Sequence, residues 1–84
     1  MSSKRIRGVL FSAYPDDHWP MHVHARFAGM ELVIDIDAMG KIRLSQRKDA
    51  VRPANAKASD IRRVLEIASR HSDELIDLWN EMRV

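Results

Sequence analysis

Three of the four histidines in this 84-residue chain fall in one stretch, His18-Trp19-Pro20-Met21-His22-Val23-His24. Near neutral pH, imidazole does two kinds of chemistry, proton transfer and metal ligation. As ligands, His22 and His24 would give a His-x-His pair and His18 a third donor, a set suited to zinc or nickel. As an acid–base pair, His22 and His24 beside arginines would form the kit of a metal-free ribonuclease: one base, one acid, and cations for the phosphate. In both schemes Asp35 is the group that would orient His22. A third reading is structural. Histidines at a strand edge, bonded to a carbonyl or to the Asp17 carboxylate, would fix the loop from Tyr14 to Pro20, and Trp19 would plug the sheet end. The residue types alone leave all three open.

The elements around the histidines follow from periodicity. In 21–27 the apolar set is Met21, Val23, Ala25 and Phe27; in 30–37 it is Met30, Leu32, Ile34 and Ile36. Strict alternation marks strands with one buried face. Ala28-Gly29 joins them as a hairpin, but Ala is a poor first residue for a primed turn, so a loop looser than two residues is expected. Parity then pairs Val23 with Ile34, Ala25 with Leu32, His22 with Asp35, and Arg26 with Glu31. A one-residue slip would set apolar against polar throughout. A second hairpin turns at Asp37-Ala38-Met39-Gly40-Lys41 into a strand over 41–46, with Gly40 in the left-handed position. That pairs Ile36 with Ile42, Asp35 with Arg43, and Glu31 with Arg47.

Residues 5–14 read as one further strand ending in the turn chemistry of Tyr14-Pro15-Asp16-Asp17. Residues 46–58 read as a basic connection containing Pro53. From Ser59, the expected cap, an apolar stripe at helical spacing runs through Ile61, Val64, Leu65, Ala68, Leu75, Leu78, Trp79 and Met82. One helix over 59–83 would be about 36 Å long against about 27 Å for an eight-residue strand. A break at 71–73 is therefore expected, with Ser72 capping a second segment. The predicted fold is α+β: one domain over 1–84, an antiparallel sheet of three to four strands, one face covered by a C-terminal helix or two helical segments. The other face would stay open and polar.

Composition narrows the function classes. The chain has no cysteine, which excludes disulfides, thiolate zinc sites and cysteine nucleophiles. The start MSSKRIRGVLF lacks the apolar run of a signal peptide, and no segment has the roughly 20 apolar residues of a membrane span, so a cytoplasmic location is expected. Net charge is only +2, yet 41–63 holds eight basic residues against two acidic ones, and 73–81 holds four acidic residues and no base. The basic side chains Arg26, Lys41, Arg43, Arg47, Lys48 and Arg52 are the candidate contacts to RNA, DNA or a partner protein. No cofactor is required by this reading. A chain so short has a small core, and a homodimer is one way to enlarge it.

The segment Asp17-His18-Trp19-Pro20-Met21-His22-Val23-His24 is similar to the Asp-His-x-Pro-Pro-His-Val-His signature of a family of small bacterial proteins, "domain of unknown function four-one-six-zero". The resemblance extends over an upstream strand, a hairpin with a central Gly, and a helical tail ending in Trp79-Asn80-Glu81. Met21 stands where the family has its second proline. Members are encoded beside another small domain in pairs that look like toxin–antitoxin modules. The resemblance therefore implies a protein partner encoded nearby and a role in binding.

Overall fold

The structure, a computed structural model, describes residues 1–83. Six strands and two helices follow in the order β1 Ser2–Ile6, β2 Val9–Ala13, β3 His22–Phe27, β4 Met30–Ile36, β5 Ile42–Leu44, β6 Val51–Arg52, α1 Ala58–Arg70 and α2 Ser72–Glu81. The sheet is an antiparallel meander, β1-β2-β3-β4-β5, with β6 also paired to β4. The α+β class holds, but the sheet is larger than three to four strands.

The first reason is a turn that the sequence hides. Arg7 and Gly8 both take positive φ, 52° and 84°, so the segment expected as one strand folds back as a two-residue hairpin pairing Arg5 with Leu10. The second reason lies in the expected basic connection. β4 pairs with β5 at Ile34–Ile36 and with β6 at Glu31–Leu32. Between them Val33 donates its N–H to Ala50 O at 2.9 Å and accepts one from Ser45 at 2.9 Å. Residues 45–52 thus form one edge of the sheet, interrupted by an excursion at 46–49. The strand expected over 41–46 ends at Leu44, and Arg52, not Arg47, faces Glu31.

The central register matches the alternation, from His22–Asp35 to Phe27–Met30. The turn between them is tighter than expected. Ala28 and Gly29 sit at φ 51° and 77°, a two-residue primed turn despite the alanine. At the second hairpin, the Asp37 carboxylate accepts the N–H groups of Met39 and Lys41 at 2.8 and 2.9 Å, and Gly40 holds φ 80°.

Val9, Phe11, Val23, Ala25, Leu32, Ile34 and Ile36 present one buried face to Val64, Ile67, Ala68, Leu75 and Leu78 of the helices. Each fully buried aliphatic or aromatic side chain contributes roughly 1.5–3 kcal/mol. α2 packs on β1, β2 and β3, while α1 packs on β3 and β5. The break between them falls at His71, inside the expected window. Two expected caps do not form: Lys57 and His71 hold the N-cap positions, no side chain caps either helix, and Ser59 and Ser72 lie within the helices. Among the described residues no helix is long and apolar enough to cross a membrane.

Two predictions follow from these joints. An L-residue in the left-handed region costs roughly 1–2 kcal/mol, less for Asn. Ala28→Asn is therefore expected to raise the melting temperature by a few degrees, measured by thermal unfolding. At the α2–β1 contact, Lys4 Nζ lies 3.0 Å from the Glu74 carboxylate and His71 Nδ1 lies 3.3 Å from it. The Lys4 hydrogen bond, then that of His71, holds the Glu74 carboxyl below its ordinary pKa. A lowered carboxylate stabilises the fold above its unfolded-state pKa, and that contribution is lost as pH falls through the folded value. Wild type and Glu74→Gln should thus differ in urea stability near neutral pH and converge in acid.

Candidate functional site

β2 ends at Ala13 and β3 begins at His22, so the chain between must cross the end of the sheet. It does so through a tight turn. Asp17 N–H donates to Tyr14 O at 3.2 Å, and Tyr14 N–H donates to Asp17 Oδ2 at 3.1 Å. This aims the Asp17 carboxylate at β3. His22 and His24 share a strand face, and their rings lie 5.3 Å apart. His22 Nε2 is 3.5 Å from Asp17 Oδ1, and His24 Nε2 is 3.5 Å from Asp17 Oδ2.

The His22 ring is 1% exposed. Its Nδ1 lies 2.9 Å from Pro20 O, and a carbonyl oxygen only accepts, so Nδ1 carries a proton. In the neutral ring Nε2 is then the lone-pair atom, and Arg47 Nη2 approaches it at 3.5 Å. His24 is more open, with 30% of its side chain exposed and Tyr14 edge-on at 4.9 Å. Its Nε2 is nevertheless buried and has no hydrogen-bond partner. Position and ion-pair range are present here, but not a hydrogen bond.

An aromatic and cationic clamp closes the site from the helix side. The Trp79 ring, fully buried on α2, lies 5.3 Å from the His22 ring and 5.5 Å from that of Trp19. The Arg83 guanidinium stacks 3.6 Å from the Trp79 ring centroid and donates to Asp17 O at 2.7 Å. Trp19 itself is mostly exposed and rests its edge on Trp79 rather than filling the sheet end.

Several expected residues do not join this group. His18 is exposed and stands outside the cluster; the third donor beside His22 and His24 is Asp17. The turn itself explains this, since it sends Asp17 inward and its neighbour outward. Asp35 is the cross-strand partner of His22 by backbone register, but the contacts of the His22 ring are Pro20, Asp17 and Arg47. Pro20 O is therefore the group that orients the His22 ring, and Asp17, not Asp35, is the carboxylate that faces it. If the pair worked as acid and base, the accessible partner would be His24, which lines a cavity of about 280 Å³ with Ser12, Tyr14 and Arg26.

The basic residues divide by their partners. Arg26 and Arg52 are both held by Glu31, at 3.2 and 2.6 Å. Lys41, Arg43, Arg47 and Lys48 are exposed, and among the described residues no carboxylate lies within ion-pair distance of them. A second basic site was not visible in the strand reading. Arg7, at the tip of the β1–β2 hairpin, meets Ser59, Arg62, Arg63 and Arg70 of α1 around a cleft of about 330 Å³. Arg70 is tied to Glu66 at 3.0 Å. The helical part is legible as residues three and four apart; Arg7 is not, because nothing in the sequence pattern of 5–14 marks the turn that carries it.

The clamp yields a test. Arg83→Ala removes one charged hydrogen bond and one cation–π stack, and is expected to cost roughly 1–3 kcal/mol in urea unfolding. Amide exchange should accelerate across residues 14–21. Arg83→Lys should recover only a small part, since an ammonium cannot both stack flat and donate sideways.

No curated protein and no solved structure matches the chain at a significant level. A family model matches residues 6–80, nearly all the elements above, and the chain belongs to the family described as "Domain of unknown function (DUF4160)".

Proposed function

We propose that this chain is a small cytoplasmic bacterial binding protein that engages nucleic acid, as one component of a toxin–antitoxin-like pair. The observation that carries the reading is the cleft between the β1–β2 turn and α1. Among the described residues, Arg7, Arg62 and Arg63 have no carboxylate in ion-pair range there. Guanidinium forks match phosphate oxygens two at a time, which makes such a cleft a phosphate-binding surface. The exposed Lys41, Arg43 and Lys48, which make no ion pair among the described residues, add positive charge on other elements. Arg26 and Arg52, already paired with Glu31, contribute less than the sequence pattern suggests.

The polar sheet face is a weaker contact than expected. Ser12, His22 and Val33 on it are buried, and the loop that carries Asp17 covers its His22 end. The binding surface accordingly centres on α1 and the hairpin tip. A protein partner encoded nearby would compete for the same charge.

The test is fluorescence anisotropy with single-stranded RNA and duplex DNA across a salt series. Affinity should fall linearly on a log–log plot, by about 0.7 per single-strand phosphate contact or about 0.9 per duplex contact. Arg62→Ala with Arg63→Ala should weaken binding at least tenfold and flatten the slope by about one to two units. No measurable binding at low salt would remove nucleic acid from the reading. Inducible expression with and without the neighbouring gene, followed by growth and RNA integrity, tests the pairing.

A further inference from the structure

We infer that Asp17, His22 and His24 form a binding site for a divalent first-row transition metal, of the zinc or nickel class. The inference is independent of the nucleic-acid reading, because no residue of the arginine cleft takes part.

Three lone-pair atoms converge. The ligand atoms of Asp17, His22 and His24 all lie within 4.8 Å of one another. Each imidazole Nε2 faces its own carboxylate oxygen at 3.5 Å, His22 on Oδ1 and His24 on Oδ2. A protonated imidazole bonded to a carboxylate would draw the pair to about 2.7–2.9 Å. Two ligands on one tetrahedral zinc, each at about 2.0–2.1 Å, stand roughly 3.3–3.4 Å apart. The observed separations are longer than an imidazolium–carboxylate bond, and a bound ion would draw the three donors, now within 4.8 Å of one another, closer together.

The surroundings of the donors point the same way. Pro20 O fixes the proton of His22 on Nδ1, which leaves Nε2 free to ligate. Metal-bound histidines are held by this kind of second hydrogen bond. Asp17 Oδ2 takes the Tyr14 N–H, which orients the carboxylate. His24 Nε2 is buried without a partner, and an unsatisfied buried polar atom costs roughly 1–3 kcal/mol. A bound cation would satisfy it. Two imidazoles and one carboxylate suit zinc, nickel or ferrous iron and not calcium or magnesium, which prefer all-oxygen sites. The set leaves a fourth position for water or another ligand.

One group opposes binding. Arg47 holds a positive charge 3.5 Å from His22 Nε2. It belongs to the exposed excursion at 46–49, so it can withdraw, but metal must displace it. The site therefore makes an unusual demand: removing an arginine should strengthen it.

The experiment uses untagged full-length protein titrated with Zn²⁺ against a chromophoric chelator, with Co²⁺ absorption as a report of coordination geometry. One equivalent should bind, and Co²⁺ should give the intense visible bands of a tetrahedral site. His24→Gln and Asp17→Asn should each weaken binding at least tenfold, His18→Ala should leave it unchanged, and Arg47→Ala should tighten it severalfold. Wild-type thermal unfolding provides a readout independent of any variant, since a ligand of the native state raises the melting temperature. A stoichiometry near zero with no thermal shift would overturn the assignment. So would wild-type affinity in both His24→Gln and Asp17→Asn, or a loss in His18→Ala equal to theirs.

Discussion

Phe27 closes on Met30 across a two-residue turn, and that one pairing fixes the face of every side chain in the central hairpin. Side chains on a strand alternate, so a shift of one residue would send Val23, Ala25, Leu32 and Ile34 to the other face. All four are essentially fully buried here. A slip moves all four to solvent together, which costs more than the roughly 1–2 kcal/mol of strain at Ala28. The core therefore holds the turn in a conformation that its first residue disfavours. The same register puts His22 and His24 together on the opposite face, with Ser12 beside them through β2. The histidine pair is a consequence of apolar burial on the far side of the sheet.

That placement creates a problem for the polypeptide. His22 is polar, almost fully enclosed, and next to a buried tryptophan. A buried polar atom without a partner costs roughly as much as one or two ordinary hydrogen bonds contribute. The loop from Tyr14 to Met21 answers half of it, since Pro20 O takes the Nδ1 proton, and Arg47 Nη2 approaches the other ring nitrogen at 3.5 Å. Asp17 is in turn held through its own carbonyl by Arg83, more than sixty residues away in the chain. The C-terminal end of α2 thus fastens the loop that the histidines need. This long-range closure links the signature segment to the tryptophan-bearing tail.

Much of this was legible in the sequence, and the exceptions have physical causes. Alternation in 21–27 and 30–37 gave both strands and their register, because a two-residue period with one buried face has a single solution. The break at His71 followed from a helix longer than the sheet it covers. The β1–β2 hairpin was missed because Arg7-Gly8 lacks the Asn or Asp that usually marks a primed turn. β6 was missed because two residues carry no period. Asp17 is visible within the signature segment as a partner for the histidines. What the sequence could not supply was the fold of the loop, which decides that Asp17 turns inward and His18 outward. Arg47 illustrates the same limit: its expected partner Glu31 is taken by Arg26 and Arg52, and an excursion of four residues carries it to His22 instead.

The two charged features of the molecule differ in what holds them. The Asp17, His22 and His24 group is partly enclosed, and each member is held by a backbone or ring contact. The arginines of α1 and the hairpin tip are exposed and held mainly by their backbones. Two imidazoles and one carboxylate held in this way suit an ion of definite coordination better than one that takes any oxygen shell. An exposed array of guanidinium groups selects by charge and tolerates many shapes, as contact with a phosphate backbone requires. The loop that Arg83 clamps shapes the partly enclosed group, and the β1–β2 turn carries Arg7 to the exposed one. The two groups thus sit on separate elements, one on β3 and the loop before it, the other on the β1–β2 turn and α1.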